Sequence, residues 1–146
     1  MKKIVLMMLV LLCGCTVLFA DGGIVPQGVD ITVSYQYRKP KEKKWQSGTV
    51  KLRDAVTEKA MLEELRRRNK DCIVRILAAD AGADKVLTVR YKVFKNGKKG
   101  VNHTVVLTNA LTQSMAKNQI LAKNPDLEET PGVRVRIAAM IKKQSK

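Results

Sequence analysis

The chain has 146 residues, with 28 Lys and Arg against 13 Asp and Glu, a formal net charge of +15, and 45% hydrophobic but only 4% aromatic residues. It is long enough for one domain with a real core, and its basic excess directs it toward anionic partners. Three cysteines, one histidine and one tryptophan leave little material for a disulfide framework, a zinc site or a base-stacking platform.

Met1-Lys2-Lys3 places two positive charges before an unbroken apolar run from Ile4 to Leu12, then Cys13-Gly14-Cys15 and further apolar residues to Ala20. This order of charged, apolar and small-residue regions predicts an export signal over residues 1–20. The 17 residues from Ile4 to Ala20, interrupted by Gly and Cys, sit at the short limit for a membrane span, so cleavage is favoured over anchoring. Leu12-Cys13-Gly14-Cys15 resembles the lipobox of bacterial lipoproteins, which implies a signal over residues 1–14 and a lipid on Cys15. Ordinary cleavage after Ala20, before Asp21-Gly22-Gly23, is the competing site. Either way the mature chain is expected outside the cytoplasm, as an envelope lipoprotein or as a periplasmic or secreted protein. The first 20 residues hold two of the basic residues and no acid, so a net +13 belongs to the remainder. Cys72 is the sole cysteine there, which excludes an intramolecular disulfide; it is expected to be a buried small hydrophobe.

Residues 21–29 are Gly-rich and without period, a flexible leader. Ile31, Val33, Tyr35 and Tyr37 then alternate with polar residues, the mark of a half-buried strand. A charged loop leads to a second strand over Thr49–Arg53, and Asp54 is positioned to cap a helix carrying Ala55, Met61, Leu62 and Leu65 on one face. In that helix Glu63 and Glu64 stand four before Arg67 and Arg68. A third strand follows over Cys72–Ala79. The order then repeats: an alternating strand with Leu87, Val89, Tyr91 and Val93, a turn at Asn96-Gly97, and a strand over Val101–Thr108. A helix capped by Asn109 ends before Pro125, and a last strand runs over Val133–Ile141. Apolar phase pairs Tyr91 with His103, which requires more than a two-residue turn.

Ile31–Tyr35 lies over Leu87–Tyr91, Thr49–Thr57 over Thr104–Thr112, and Val74–Ile76 over Val135–Ile137, at offsets of 56, 55 and 61. The fold expected is α+β, a tandem ββαβ duplication with units of about 30–80 and 85–142 in one domain over 30–142. A unit of that size hardly stabilises itself. A mixed β-sheet of about six strands with two helices packed on one face therefore follows.

No acid, base and nucleophile set presents itself, so no enzyme, cofactor or metal is expected. His103 is expected to be a partly buried structural histidine, Lys95–Gly100 a hairpin tip, Asp80–Asp84 a solvated turn, and Asp126, Glu128 and Glu129 an acidic loop. The informative constellation is a basic face. Residues out of phase with the apolar set include Lys51, Arg75, Arg90, Lys92, Arg134 and Arg136, with no acid among them. The hairpin tips add Lys43, Lys44, Lys98 and Lys99. Arg75 and Arg136 fall at matching positions, so a pseudo-twofold would present them symmetrically. Such a surface suits an anionic envelope component or an acidic protein. Nucleic acid is disfavoured, because Tyr35, Tyr37 and Tyr91 phase with the core and leave Trp45 as the exposed ring. Membrane contact is expected only through a lipid on Cys15. The competing reading is an assembly protein that forms oligomers, its charge serving solubility alone.

Overall fold

The computed structural model describes residues 28–143. The export signal, Cys15 and most of the leader lie outside the described residues. Within them run β1 (Asp30–Arg38), β2 (Gln46–Arg53), α1 (Glu58–Arg68), β3 (Ile73–Asp80), β4 (Val86–Lys95), β5 (Val101–Thr108), α2 (Gln113–Lys123), α3 (Pro125–Glu129) and β6 (Val133–Lys142). The content is α+β, but the single mixed sheet is not formed. Instead there are two three-stranded sheets, ordered β2-β1-β3 and β5-β4-β6, with every neighbouring pair antiparallel.

The reason lies at the edge of β3, where a further strand would have to add. Asn118 Nδ2 of α2 donates to the Ile76 carbonyl at 2.9 Å, and Gln119 Nε2 donates to the Leu77 carbonyl at 2.7 Å. Gln119 also reaches the Thr108 carbonyl at the end of β5, at 2.9 Å. Side-chain amides thus take the place of a fifth ladder, the one that would have joined the two sheets. Wedged against both β3 and β6, α2 buries Met115, Ala116 and Ile120. A helix with a neighbour on two sides has no single greasy stripe, which is why its apolar residues divide between faces in the sequence.

Both helices start later than expected. The N-caps are Thr57 and Thr112, whose hydroxyls accept from the Ala60 and Met115 amides at 3.1 Å. Asp54 and Asn109 instead take left-handed backbone, φ 59° and 57°, three residues ahead of those caps. Asp and Asn tolerate that conformation, so they turn the chain off the strand and a threonine closes the helix. In α1 one carboxylate, Glu64, takes both Arg67 and Arg68, each at 2.7 Å. Hydrogen bonds from Arg67 and then Arg68 lower its pKa to about 2.

The β4–β5 register pairs Tyr91 with His103 and ends at Val93 opposite Val101, leaving a loop longer than a two-residue turn. In β1–β2 the residue opposite Tyr35 is Gly48, where a Cβ would meet the phenol ring at 2.8 Å. The ring therefore needs glycine beneath it. At the corresponding place in β4–β5, Tyr91 stacks on the His103 imidazole, centroids 5.2 Å apart. His103 is exposed there instead of partly buried, because β5 is an edge strand with no neighbour beyond it among the described residues. Register shifts between Ser34 and Tyr35 against β3, and between Arg90 and Tyr91 against β6, leave Leu77 and Ala138 as bulge residues.

Ile31, Val33, Met61, Leu65 and Ile76 join Val89, Leu107, Met115, Ile120 and Val135 in one buried cluster. Each large apolar side chain buried this way contributes about 1.5–3 kcal/mol. Cys72 precedes β3 and is only partly buried, packed against the cluster. The acidic segment after Pro125 is no loop; it forms the short helix α3, with Pro125 in the first turn.

Candidate functional site

On β4 the residues out of phase with Val89 and Val93 are Thr88, Arg90, Lys92 and Phe94. Residues directly across an antiparallel pair share a face. Lys92 therefore sits between Asn102 of β5 and Arg136 of β6, Arg90 between Thr104 and Ala139, and Phe94 beside Arg134. Arg90, Lys92, Arg134 and Arg136 are all exposed. Two strands about 4.8 Å apart, with same-face residues about 7 Å apart along each, put four cations close together, and Arg134 and Arg136 also line, with Phe94, Leu127 and Glu128, a cleft of about 540 Å³ beside α3. No acid occupies a register position on this face, and none of the ion pairs among the described residues involves these four. At the far end Thr88 lies between Val106 and Ile141, which are 55% and 47% exposed. Lys98 and Lys99 are exposed at the hairpin tip and line, with Val93, Val101 and His103, a cleft of about 300 Å³ on the opposite face of this sheet.

The outer face of the first sheet is built differently. Arg75, opposite Gln36, is 9% exposed and fully engaged. Its Nε and Nη2 donate to Gln36 Oε1 at 3.0 and 2.8 Å, and its Nη1 donates to both Glu128 oxygens at 3.1 and 3.0 Å. The guanidinium carbon lies 4.0 Å from the centroid of the Trp45 ring, and the Trp45 indole N–H donates to Glu128 at 3.1 Å. Burial pushes the Arg75 guanidinium down from its usual value, and the Glu128 carboxylate acts against that. Trp45 is thus no free ring: Arg75 and Arg38 lie over it, and the carboxylate holds its edge. Arg38 donates to the Glu42 carbonyl through Nη1 at 2.9 Å, while its buried Nε finds no partner.

A cleft of about 540 Å³ opens here, with Lys43 and Lys44 on its rim and Glu128 and Glu129 opposite. A second of similar size, between β6 and the α2–α3 corner, shares Leu121 and Glu128 with it. Lys51 is exposed on β2, but Asp80 lies on the same face across Thr32, so this sheet does carry acid.

The ten basic residues singled out in the sequence therefore do not form one surface. Arg90, Lys92, Arg134 and Arg136 come together on one face of the second sheet; Lys98 and Lys99, at its hairpin tip, line a cleft on the other face. Lys43, Lys44 and Lys51 belong to the first sheet, and Arg75 is spent inside it. Glu128 is the residue sequence reasoning missed. Its signal was the offset between units, which grows from 55 to 61. The extra residues are where α3 stands, and no element of the first unit corresponds to it. Arg136, the positional match of Arg75, has no ion-pair partner among the described residues and is exposed, on the wall of the cleft that Leu127 and Glu128 also line.

Among the described residues no group of three or more His, Cys, Asp or Glu side chains is placed to hold a metal ion, and no helix is long and apolar enough to cross a membrane. Comparison with protein families, curated proteins and solved structures found no match.

Proposed function

We propose that this chain is an exported, non-catalytic binding protein of the cell envelope, engaging an anionic envelope component or an acidic protein through the outer face of its second sheet. The observation that carries this reading is the placement of Lys92 directly across from Arg136. Like charges in register cost a sheet a few tenths of a kcal/mol or more, and solubility alone is served better by mixed signs. A face that keeps four cations with no acid among its register neighbours fits an anion supplied from outside.

The same proposal includes descent of the fold from one duplicated ββαβ unit, its two long helices covering one apolar side. The paired bulges, paired left-handed Asp54 and Asn109, and paired threonine caps support it.

Lys92→Glu separates binding from bulk charge. It creates an ion pair with Arg136, so we expect urea unfolding to show about 0.5 kcal/mol of added stability. Binding of long-chain polyphosphate should weaken at least tenfold, and the salt dependence of wild-type binding should become shallower. Unchanged polyphosphate binding in a folded Lys92→Glu protein would remove this face from the function. A second reading, assembly through the apolar end of the same face, is favoured by the exposure of Val106 and Ile141. It expects a concentration-dependent dimer in sedimentation that Val106→Ser with Ile141→Ser abolishes and Lys92→Glu leaves intact.

A further inference from the structure

We infer that the free edge of β6 takes up an extended acidic segment of a partner protein, which adds to the second sheet as its next strand. This names the occupant within the anion-binding reading above and rests on it. The cleft of about 540 Å³ beside α3 is lined by four successive β6 residues, Val133, Arg134, Val135 and Arg136. Successive side chains of a strand point to opposite faces, so a cavity that meets all four runs along the strand's edge. β6 is the last strand of its sheet, and every second residue of such a strand turns its N–H and C=O outward. At the corresponding edge of β3, Asn118 and Gln119 occupy the Ile76 and Leu77 carbonyls. Along β6, among the described residues, no hydrogen bond outside the β4 ladder reaches the backbone of Arg134, Val135 or Arg136, and the cleft leaves that edge open.

The walls define the segment that fits. Arg134 and Arg136 are exposed on the outer face without an ion-pair partner among the described residues, and Lys117 of α2 adds a third exposed cation. Glu128, the acid on this wall, is already bonded to Arg75 and to the Trp45 indole N–H. The apolar lining comes from Val133 and Val135, with Leu121 and Leu127 across from them. An added strand shares the pleat of its neighbour, so its side chains beside the arginines are acids and those beside the valines are apolar. Three rises of about 3.3 Å separate Val133 from Arg136, so the cleft seats about four residues of the guest. In this mode of strand addition the main chain supplies affinity and the alternating side chains supply specificity. A second copy of β6 would set arginines against arginines, which like-charge repulsion disfavours. A polyphosphate chain meets the arginines but leaves the valines and leucines without a partner.

The test is calorimetric titration of the full chain with blocked peptides of about eight residues. One peptide alternates valine and glutamate; another has the same composition with its glutamates in one block. We expect the alternating peptide to bind about tenfold more tightly or better. N-methylating every valine removes one half of its backbone donors, and N-methylating every glutamate removes the other. Because one half faces β6, one of these peptides should lose binding and the other keep it. Arg134→Gln with Arg136→Gln alters two exposed positions and should fold, as circular dichroism will show, while weakening the alternating peptide about tenfold or more. Lys98→Gln with Lys99→Gln, on the other face, should leave its affinity within about twofold. Equal binding of the alternating and block peptides, or an equal response to the two N-methylations, overturns the added strand. If polyphosphate binding still depends on Lys92 in that case, the anion-binding reading survives; if polyphosphate does not bind, both fall. Tighter binding of octyl phosphate than of the peptide at the same arginines makes the cleft a small-molecule site and overturns the peptide as its occupant.

Discussion

Asn109 is buried, and nearly all its polar atoms are used: Oδ1 accepts from the Lys85 amide at 2.8 Å, Nδ2 donates to Asp84 at 3.0 Å, and its backbone bridges Lys85 and Ala79. Asp54 adopts the same left-handed backbone but is exposed. Asn109→Ala removes two side-chain hydrogen bonds and puts a Cβ-bearing residue without a compensating side chain at positive φ, costing about 2–3 kcal/mol. Asp54→Ala carries only the backbone part and should cost about 1 kcal/mol or less. Thermal unfolding measures the gap, with Asn109→Gly falling between; equal losses at the two positions would show that the joint at Asn109 holds nothing. Sequence alone placed polar residues correctly at both strand ends. It misassigned them as caps because Asp, Asn and Thr all serve as caps, and only backbone φ separates a turn from the first helical residue.

At the scale of elements, pleat phase was legible and sheet membership was not. Alternation in β1 and β4 fixed which side chains are buried, and phase alone chose the Tyr91–His103 register. Nothing in that alternation says whether β3 ends a sheet or joins another, since the deciding groups are Asn118 and Gln119 on α2. Replacing both with Ala should cost about 1–2 kcal/mol, slightly offset by the better helix propensity of Ala. It should also bare the β3 edge and give self-association that rises with concentration in sedimentation. A variant as stable and as monomeric as its parent would mean that water serves those carbonyls equally well.

For the whole molecule, the sequence reading placed all ten cations on a common surface, whereas folding divides them. The division arises from contacts across long stretches of chain: Glu128 meets Arg75 53 residues away and Trp45 83 residues away. No local pattern encodes such a meeting. The proposed envelope location is tested at this scale by the mass of the processed N-terminus. A diacylated Cys15 would tether the domain, and an unmodified Asp21 would release it; retention of Met1 would contradict cleavage of the signal. The chain has a single tryptophan, and it sits where α3 from the second half covers the first sheet. Excited by ultraviolet light, that indole serves as a built-in gauge of this one closure. Its emission wavelength, excited at the long-wavelength edge where the three tyrosines do not absorb, tracks whether the two halves are seated together, with no foreign dye.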